Sequence, residues 1–376
     1  MTMMITPSRA GPLDNIPACS SVIQRAGPVA SLAIPPFAQR RFTFYATFTV
    51  ESLCPAIPPE TAVLLPASSW ARVGMRPPRL PAHITERAAD SGGFVASRVW
   101  GDYRYSLDQY AAWLATWEPC WAATMDYCCE PELQQITRER QDKTTVNAWL
   151  AWERYRDVPW AWVPTLQGWT PDDYHRHASE LKPLIETMQA RYAGSLAFRV
   201  GVGTLCRRND VTVIQAILDA IRDVLPDVPL HLWGIKLDAL RSIALKQVIS
   251  SDSAVWHGLL YRSREVRAEA REAGMSTRVY TVSVNLPHYT RKIDAAVAES
   301  ARIFEAEAGC ESLALARAIL KAQGWTLHVR TRRNRSYAYA TRRGGNRLRQ
   351  RYLCPIADLP SWLEQQSAYE PLSLFL

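Results

Sequence analysis

The sequence lacks any apolar run of the roughly 20 residues that a membrane-spanning helix needs, and prolines interrupt the apolar patches near its N-terminus. It also lacks closely spaced cysteines, because its eight cysteines are scattered over 376 residues. Close, regular spacing is what a disulfide framework or a zinc knuckle requires. These absences argue against a membrane protein and against a small disulfide-bonded secreted domain. We therefore expect a soluble protein of the reducing cytoplasm.

Acidic residues are absent from residues 321–351, a segment that holds Lys321 and nine arginines. Since the formal net charge of the whole chain is +8, this segment accounts for its basic character. A local basic segment with interleaved aromatic residues predicts contact with nucleic-acid phosphates, and the simpler alternative is a solvated arginine-rich hairpin. The candidate phosphate ligands are Arg330, Arg332, Arg333, Arg335, Arg342 and Arg343.

Three regions follow from composition and periodicity. Residues 1–40 are rich in Pro, Ala and Ser, and their start resembles the leader of a vector-encoded β-galactosidase fragment, so we expect a disordered or non-native leader. Residues 41–312 alternate short apolar runs with amphipathic segments of helical length, which is typical of repeated βα units. Residues 313–376 predict a helix followed by a basic three-stranded meander.

Local signals mark several helix starts and strand ends. Ser106 and Thr170 are predicted N-caps, Pro171 is a favourable first helical residue, and Asn209 leads into a third helix. The runs WAATM, AWVPTL, LAFRV and PLHLW predict strands that end before polar or glycine residues. Chemistry in a (β/α)8 barrel lies at these carboxyl ends. A doubly wound open sheet would give a similar alternation.

In the meander, Tyr337 and Tyr339 are predicted to share one face, because side chains alternate along a strand. Flanking arginines could hold phosphates while the rings pack or stack. For these two tyrosines we favour packing within the small sheet.

The sharpest local motif is Asp90-Ser91-Gly92-Gly93-Phe94, in which two glycines after a carboxylate let the backbone approach a flat ligand closely. A tight βα turn with a capping aspartate is the structural alternative. Asp252, in SSDSAVW, is a second candidate carboxylate and is weak by itself.

Taken in order, the segments DSGGF, MDYCCEP, TLQGWT, VGVGTLCRR, LWGIK and SDSAVW resemble the tRNA-guanine transglycosylases. The resemblance covers roughly residues 80–260 and is closer to their DpdA-type, deazapurine-in-DNA relatives. It implies an α/β fold of the (β/α)8 class. It also implies that guanine in DNA is exchanged for a 7-deazaguanine base without a cofactor.

The resemblance assigns roles residue by residue. It implies that Asp252 is the nucleophile at the sugar C1′ carbon, that Asp90 is the general acid/base, and that Asp126 binds the guanine edge. A carboxylate can accept the two adjacent N–H donors of that edge. The remaining implied substrate-binding residues are Ser91, Gly92, Gln167, Gly168, Gly201 and Gly203. For Gln167, a simple hydrogen bond at a strand end is an equal alternative.

Alternatives remain open at this stage. A Cys–His site built from His83, His257 and Cys128 or Cys129 is less favoured, because nothing fixes the orientation of a histidine. The tRNA enzymes hold zinc after the nucleophile, but only Cys310 and Cys354 follow Asp252, so we predict no metal. Rival functions are a tRNA-guanine transglycosylase, a base-excising glycosylase and a non-catalytic nucleic-acid-binding barrel. A homodimer or partner modification proteins would be compatible with each.

Overall fold

The structure is a computed structural model that describes residues 42–49, 56–133, 137–193, 195–243, 245, 248–258, 264–323, 325–332, 335–344, 347–355 and 358–367. Within these ranges it does not describe the side chains of residues 257–258, 303–311, 314, 322, 330–336, 343–349 and 364–367. The predicted leader, residues 1–40, lies outside the described residues.

The main sheet consists of parallel strands in the order β5-β4-β3-β2-β1-β9-β8-β7-β6. Its strands are β1 (Thr43–Thr47), β2 (Ala62–Pro66), β3 (Arg87–Asp90), β4 (Trp121–Ala123), β5 (Ala161–Val163), β6 (Thr165–Leu166), β7 (Val200–Val202), β8 (Leu230–Leu232) and β9 (Val248–Ser253).

A single residue, Pro164, separates the two ends of this sheet, because β5 pairs with β4 while β6 pairs with β7. Proline has no N–H to donate to a strand ladder, which accounts for the interruption. With β5 and β6 taken as one interrupted strand, eight parallel strands close into a ring. The predicted (β/α)8 barrel is confirmed, and the alternative of an open doubly wound sheet is wrong.

Helices surround the barrel and extend from it. They are α1 (Ala67–Ala71), α2 (Gly93–Val95) continuing as a π-helical turn (Ala96–Trp100), α3 (Leu107–Ala115), α4 (Thr137–Tyr155), α5 (Pro171–Arg191), α6 (Val211–Val224), α7 (Leu237–Ser242), α8 (Val255–Gly258), α9 (Arg264–Glu272), α10 (Thr277–Tyr280) continuing as a π-helical turn (Thr281–Asn285), α11 (Leu286–Ala322) and α12 (Leu359–Ser367).

Capping residues explain where several helices begin. Ser106 accepts a hydrogen bond from the amide of Gln109, and Thr170 makes the same contact with Asp173, so both predicted N-caps are confirmed. The predicted start at Asn209 is wrong by one residue, because the Asp210 carboxylate caps α6. Its short side chain accepts from two orphan amides, those of Thr212 and Val213.

Alternating side chains of the strands separate two apolar regions. Phe44 and Ala46 belong to the large core between sheet and helices, whereas Tyr45 between them belongs to a smaller cluster inside the barrel. Trp121 and Trp233 join Tyr45 in that interior cluster. The barrel is therefore filled by aromatic side chains beneath its carboxyl end.

The C-terminal region is a three-stranded antiparallel sheet of β10 (Thr326–Arg332), β11 (Arg335–Gly344) and β12 (Arg347–Pro355). The predicted meander is confirmed. The sequence predicts separate helices around residues 290–308 and over LALARAILKA, residues 313–322, but residues 286–322 form one continuous helix, α11. Alanine and glutamate residues are frequent over residues 295–311, and their helix propensity exceeds the cost of Gly309.

Candidate active site

The carboxyl ends of the barrel strands surround one cavity of about 560 Å³. This volume lies within the range of small-molecule sites. Side chains from the ends of β3, β6 and β9 and from the loops after β4, β7 and β8 line it. The lining comprises Asp90, Gly93, Phe94, Asp126, Cys128, Gln167, Gly203, Thr204, Cys206, Trp233, Gly234, Ile235, Lys236, Asp252, Ser253, Ala254 and Val255.

Asp252 is held by hydrogen-bond donors on both carboxylate oxygens. The Thr47 hydroxyl donates to Oδ2 at 2.8 Å, and the Gly234 amide donates to Oδ1 at 2.8 Å. The carboxylate is 8% exposed at the cavity wall. Two donors fix its orientation, so that a remaining lone pair is directed at the cavity.

A buried relay lies directly beneath Asp252. Arg199 donates to the Ser250 hydroxyl oxygen at 2.9 Å, and the same hydroxyl lies 2.9 Å from Nδ1 of His231. Arginine only donates, so the serine proton is free to be donated to Nδ1. His231 is then the Nε2–H tautomer, and Nε2 lies 3.5 Å from Oδ1 of Asp252. Burial lowers the pKa of His231, which keeps the imidazole neutral.

Asp90 experiences a different environment from Asp252. The Gly92 amide donates to its Oδ1 at 3.0 Å. Burial raises the pKa of Asp90 to about 7, and the nearby negative charges of Asp126 and Asp252 act in the same direction. A carboxyl group with this pKa can both release and accept a proton near neutral pH.

Asp126 is almost fully buried and is oriented by neighbouring side chains. The Ser91 hydroxyl donates to Oδ1 at 2.7 Å, and the Gln167 amide donates to Oδ2. Tyr103 contacts the Asp126 backbone, donating to its carbonyl at 2.9 Å. Burial raises the pKa of Asp126. The carboxylate is thus fixed as an acceptor at one wall of the cavity.

Gln167 is locked in a single amide orientation. The Thr204 hydroxyl donates to Oε1 at 2.5 Å while Nε2 donates to Asp126. The Gln167 backbone amide lies 2.9 Å from Nδ1 of His177, whose pKa burial lowers to about 4. His177 is therefore a neutral structural acceptor. The close approach at Gly203 leaves no room for a Cβ, which would lie 2.2 Å from Nε2 of Gln167.

A comparison with protein families matches the family described as DpdA, DeoxyPurine in DNA protein A, over residues 61–283. This match covers more than half of the sequence. The chain belongs to the DpdA family. Family membership supports a DNA deazapurine-modification transglycosylase in general.

Comparisons with individual proteins are more distant. No curated protein matches the sequence. Among solved structures, the HMG-CoA lyase from Brucella melitensis shares 12% identity, with a TM-score of 0.38 and coverage of 66% of this chain and 99% of the lyase chain. A probable tagatose 6 phosphate kinase from Sinorhizobium meliloti shares 12% identity, with a TM-score of 0.34 and coverage of 69% and 86%.

The structure brings the predicted carboxylates of this DpdA-family chain together with Gln167 and Gly203. Ser91 and Gly92 are buried behind the cavity wall, where Ser91 orients Asp126 and Gly92 adopts a φ of +81° against Ser68. Gly168 and Gly201 are not part of the cavity lining. A Cβ at Gly201 would collide with the Trp233 indole, so this glycine makes room for a lining side chain.

Several site residues were missed by sequence reasoning. These are Thr47, Thr204, His231, Trp233 and Gly234. His231 and Trp233 lie in or next to the strand run PLHLW, whose alternation of polar and apolar residues is a usable signal for an inward-facing histidine. No local signal marks Thr47, because its contact with Asp252 joins strands 205 residues apart.

The cysteine and metal alternatives can be compared with the same geometry. Burial raises the pKa of the Cys128 thiol, and burial raises that of Cys206 to about 11. His83 contacts the Ile57 carbonyl at 3.0 Å, and the side chain of His257 lies outside the described residues. Among the described side chains, no group of three or more His, Cys, Asp or Glu is arranged to hold a metal ion.

Of the predicted phosphate ligands, Arg342 is exposed on β11. Arg333 lies outside the described residues, as do the side chains of Arg330, Arg332, Arg335 and Arg343. In the described part of the chain, none of the helices combines the length and apolarity that crossing a membrane requires.

Proposed function

We propose that this chain exchanges guanine in DNA for a 7-deazaguanine derivative through a covalent intermediate on Asp252. The observation that supports this most directly is the pair of carboxyl groups at one cavity with opposite environments. Hydrogen-bond donors surround Asp252, whereas burial and neighbouring negative charge raise the pKa of Asp90. Two carboxyl groups differentiated in this way suit a nucleophile and a proton carrier.

The reaction divides into two balanced steps. An Asp252 oxygen attacks C1′ and the C1′–N9 bond breaks, with its electron pair going to the guanine, which takes the Asp90 proton. The incoming base then loses its N9 proton to Asp90 and attacks C1′, and the bond between C1′ and Asp252 breaks. Asp90 and Asp252 return to their initial states, so no oxidant, reductant or cofactor is consumed.

The guanine base binds to Asp126, across the cavity from Asp252. Asp126 accepts the adjacent N–H groups of the guanine edge, in the orientation that Ser91 and Gln167 fix. Trp233 and Phe94 also line the cavity and give it apolar area for a flat base. The target nucleotide has to leave the duplex stack to enter such a cavity. The basic C-terminal segment, including Arg342, would hold the DNA backbone without reading its sequence.

The test is transfer of radiolabelled guanine into plasmid DNA or bulk tRNA. We expect label in DNA with the wild-type protein and with Asp238→Asn, a matched change at a side chain that is 93% exposed. Asp252→Asn should abolish labelling, and Asp90→Asn should reduce it by about 100-fold or more. Label confined to tRNA would make the chain a tRNA enzyme, and abasic sites without label would make it a glycosylase. Labelling that survives in Asp252→Asn would refute the nucleophile assignment.

A further inference from the structure

The two faces of the C-terminal sheet differ in what covers them. Leu327, Ala338, Ala340 and Cys354 are buried on one face, where they pack against α11 and α12. Tyr337 and Tyr339 alternate with these alanines along β11 and therefore lie on the other face. Tyr352, on β12, contacts both and is 51% exposed. The tyrosines do not belong to the apolar core of this region.

A row of rings crosses the open face from strand to strand. His328 pairs with Tyr339 in the β10–β11 register, and Tyr339 pairs with Tyr352 in the β11–β12 register. The rings of Tyr339 and Tyr352 lie 5.5 Å apart at 64°, and those of Tyr337 and Tyr352 lie 6.3 Å apart at 51°. Tyr352 is the most exposed of the three rings, at 51%, and Tyr337 and Tyr339 are half-buried beside it.

The charge around this face defines the kind of partner. Arg330 is the cross-strand partner of Tyr337, and Arg332 pairs with Arg335 two positions further along. Residues 321–351 contain ten basic residues and no acidic residue. Aromatic rings that are half-buried or exposed, next to a purely basic segment, match the bases and phosphates of a nucleic acid. An apolar or acidic-poor protein surface would leave these positive charges without compensation.

We propose that Tyr337, Tyr339 and Tyr352 form a platform on which unpaired DNA bases stack. Bases inside a duplex are already stacked on each other, so only a single-stranded segment offers its faces to the rings. The proposed base exchange requires a nucleotide to leave the duplex and thereby opens such a segment. The inference rests on the proposed function for the choice of DNA, but binding to the platform can be measured without catalysis.

The experiment measures the affinity of the full-length Asp252→Asn protein for a fluorescent oligonucleotide of about 12 nucleotides. Changing the tyrosines together to leucine, as Y337L/Y339L/Y352L, keeps apolar volume but removes the rings. We expect the dissociation constant to rise at least about tenfold, since each stacked base contributes substantially. An oligonucleotide with abasic sites should bind the parent protein about as weakly as the intact one binds the triple variant.

A charge variant separates stacking from phosphate contact. Arg330→Gln with Arg335→Gln, at positions that the strand register places on the same face as Tyr337, should reduce the salt dependence of binding, whereas the tyrosine variant should leave that slope unchanged. Tyr352→Leu alone, at the most exposed ring, should retain the wild-type melting temperature and still weaken binding. The proposal would be overturned if the parent protein and the triple variant bound the oligonucleotide equally well. It would also be overturned if the parent bound abasic and intact oligonucleotides equally well, or if it preferred duplex DNA or RNA. A variant that instead changes the oligomeric state would identify the face as a subunit interface.

Because the Asp252→Asn protein is used throughout, the two proposals can fail separately. If the tyrosine changes do not weaken binding but the wild-type protein exchanges bases, only the stacking platform is refuted. If the tyrosine changes weaken binding but the wild-type protein exchanges no base, the proposed function is refuted and the tyrosine face remains a binding surface for single-stranded DNA.

Discussion

Nε2 of His231 lies 3.5 Å from Oδ1 of Asp252, and His231 is completely buried. The distance exceeds that of a standard hydrogen bond, and Nε2 has no partner elsewhere in the described structure. The chain Arg199–Ser250–His231 fixes an N–H at this position. The donor therefore faces the nucleophile and is available when charge on the carboxylate changes during the reaction.

Replacing His231 with Phe removes this donor while preserving a planar ring. An N–H aimed at Oδ1 stabilises the departing carboxylate more than the esterified one, so its loss should slow transfer from Asp252 to the incoming base. We expect about a tenfold or greater fall in turnover. DNA-linked protein should accumulate on denaturing gels. His231→Gln, which retains an N–H donor, should recover part of the rate, and a fall in rate without accumulation would contradict the role.

The raised pKa of Asp90 predicts how the stability of the folded protein depends on pH. The pKa of Asp90 is about 7 in the folded protein and lower in the unfolded chain. Between these two pH values the folded state therefore holds a proton on Asp90 that the unfolded state has released. The contribution of Asp90 to stability is then fully present below about pH 4 and is lost as pH rises to about 7, by up to about 1.4 kcal/mol per pH unit. Asp90→Asn mimics the protonated form and should melt above wild type at pH 8, with the difference vanishing near pH 4.

The exposed Asp238→Asn change is the control for this experiment. It should shift the melting temperature only slightly, both at pH 4 and at pH 8, because its side chain is 93% exposed. A constant difference between Asp90→Asn and wild type across the pH range would mean that Asp90 titrates normally.

How far the sequence predicts this molecule depends on the range of each interaction. The caps at Ser106 and Thr170 involve residues three positions apart, and both were predicted. The strand ends before Asp126 and Gln167 follow from short apolar runs. The barrel itself was chosen partly through the family resemblance, since alternating strands and helices also fit an open sheet.

The remainder of the site depends on contacts between distant strands. The donor from Thr47 and the relay through Arg199 to His231 exist only once the ring of strands has closed. The raised pKa of Asp90 depends on the burial of the group and on two other carboxylates from separate motifs. Periodicity and spacing predict where strands end, but not which side chains share the interior of a barrel.

The thiols at the cavity are predicted to be dispensable. Burial raises the pKa of Cys128 and of Cys206, so neither is a thiolate near pH 7.5. Cys128→Ser and Cys206→Ser should each retain base exchange within a few-fold of wild type, measured by guanine incorporation. Iodoacetamide at pH 7.5 should leave activity intact. Complete loss with Cys128→Ser, in a protein of unchanged melting temperature, would restore a cysteine mechanism.

The close contact between Gly203 and Gln167 predicts how the base site can be disabled without touching a carboxylate. In Gly203→Ala the new Cβ would lie 2.2 Å from Nε2 and 2.5 Å from Cδ of Gln167. The amide must move away from Asp126 and Thr204, so the affinity for free radiolabelled guanine should fall about tenfold or more, because a charge-assisted hydrogen bond is lost.

Overpacking of this kind also costs about 1–3 kcal/mol of stability, and a second glycine separates that cost from the effect on binding. Gly101 has a φ of +84° and open space around it, so Gly101→Ala introduces backbone strain away from the cavity. It should lower the melting temperature and leave guanine binding unchanged. If both variants lose guanine affinity in proportion to their melting temperatures, general destabilisation accounts for the loss. If Gly203→Ala alone loses it, the orientation of Gln167 and Asp126 determines whether the base binds.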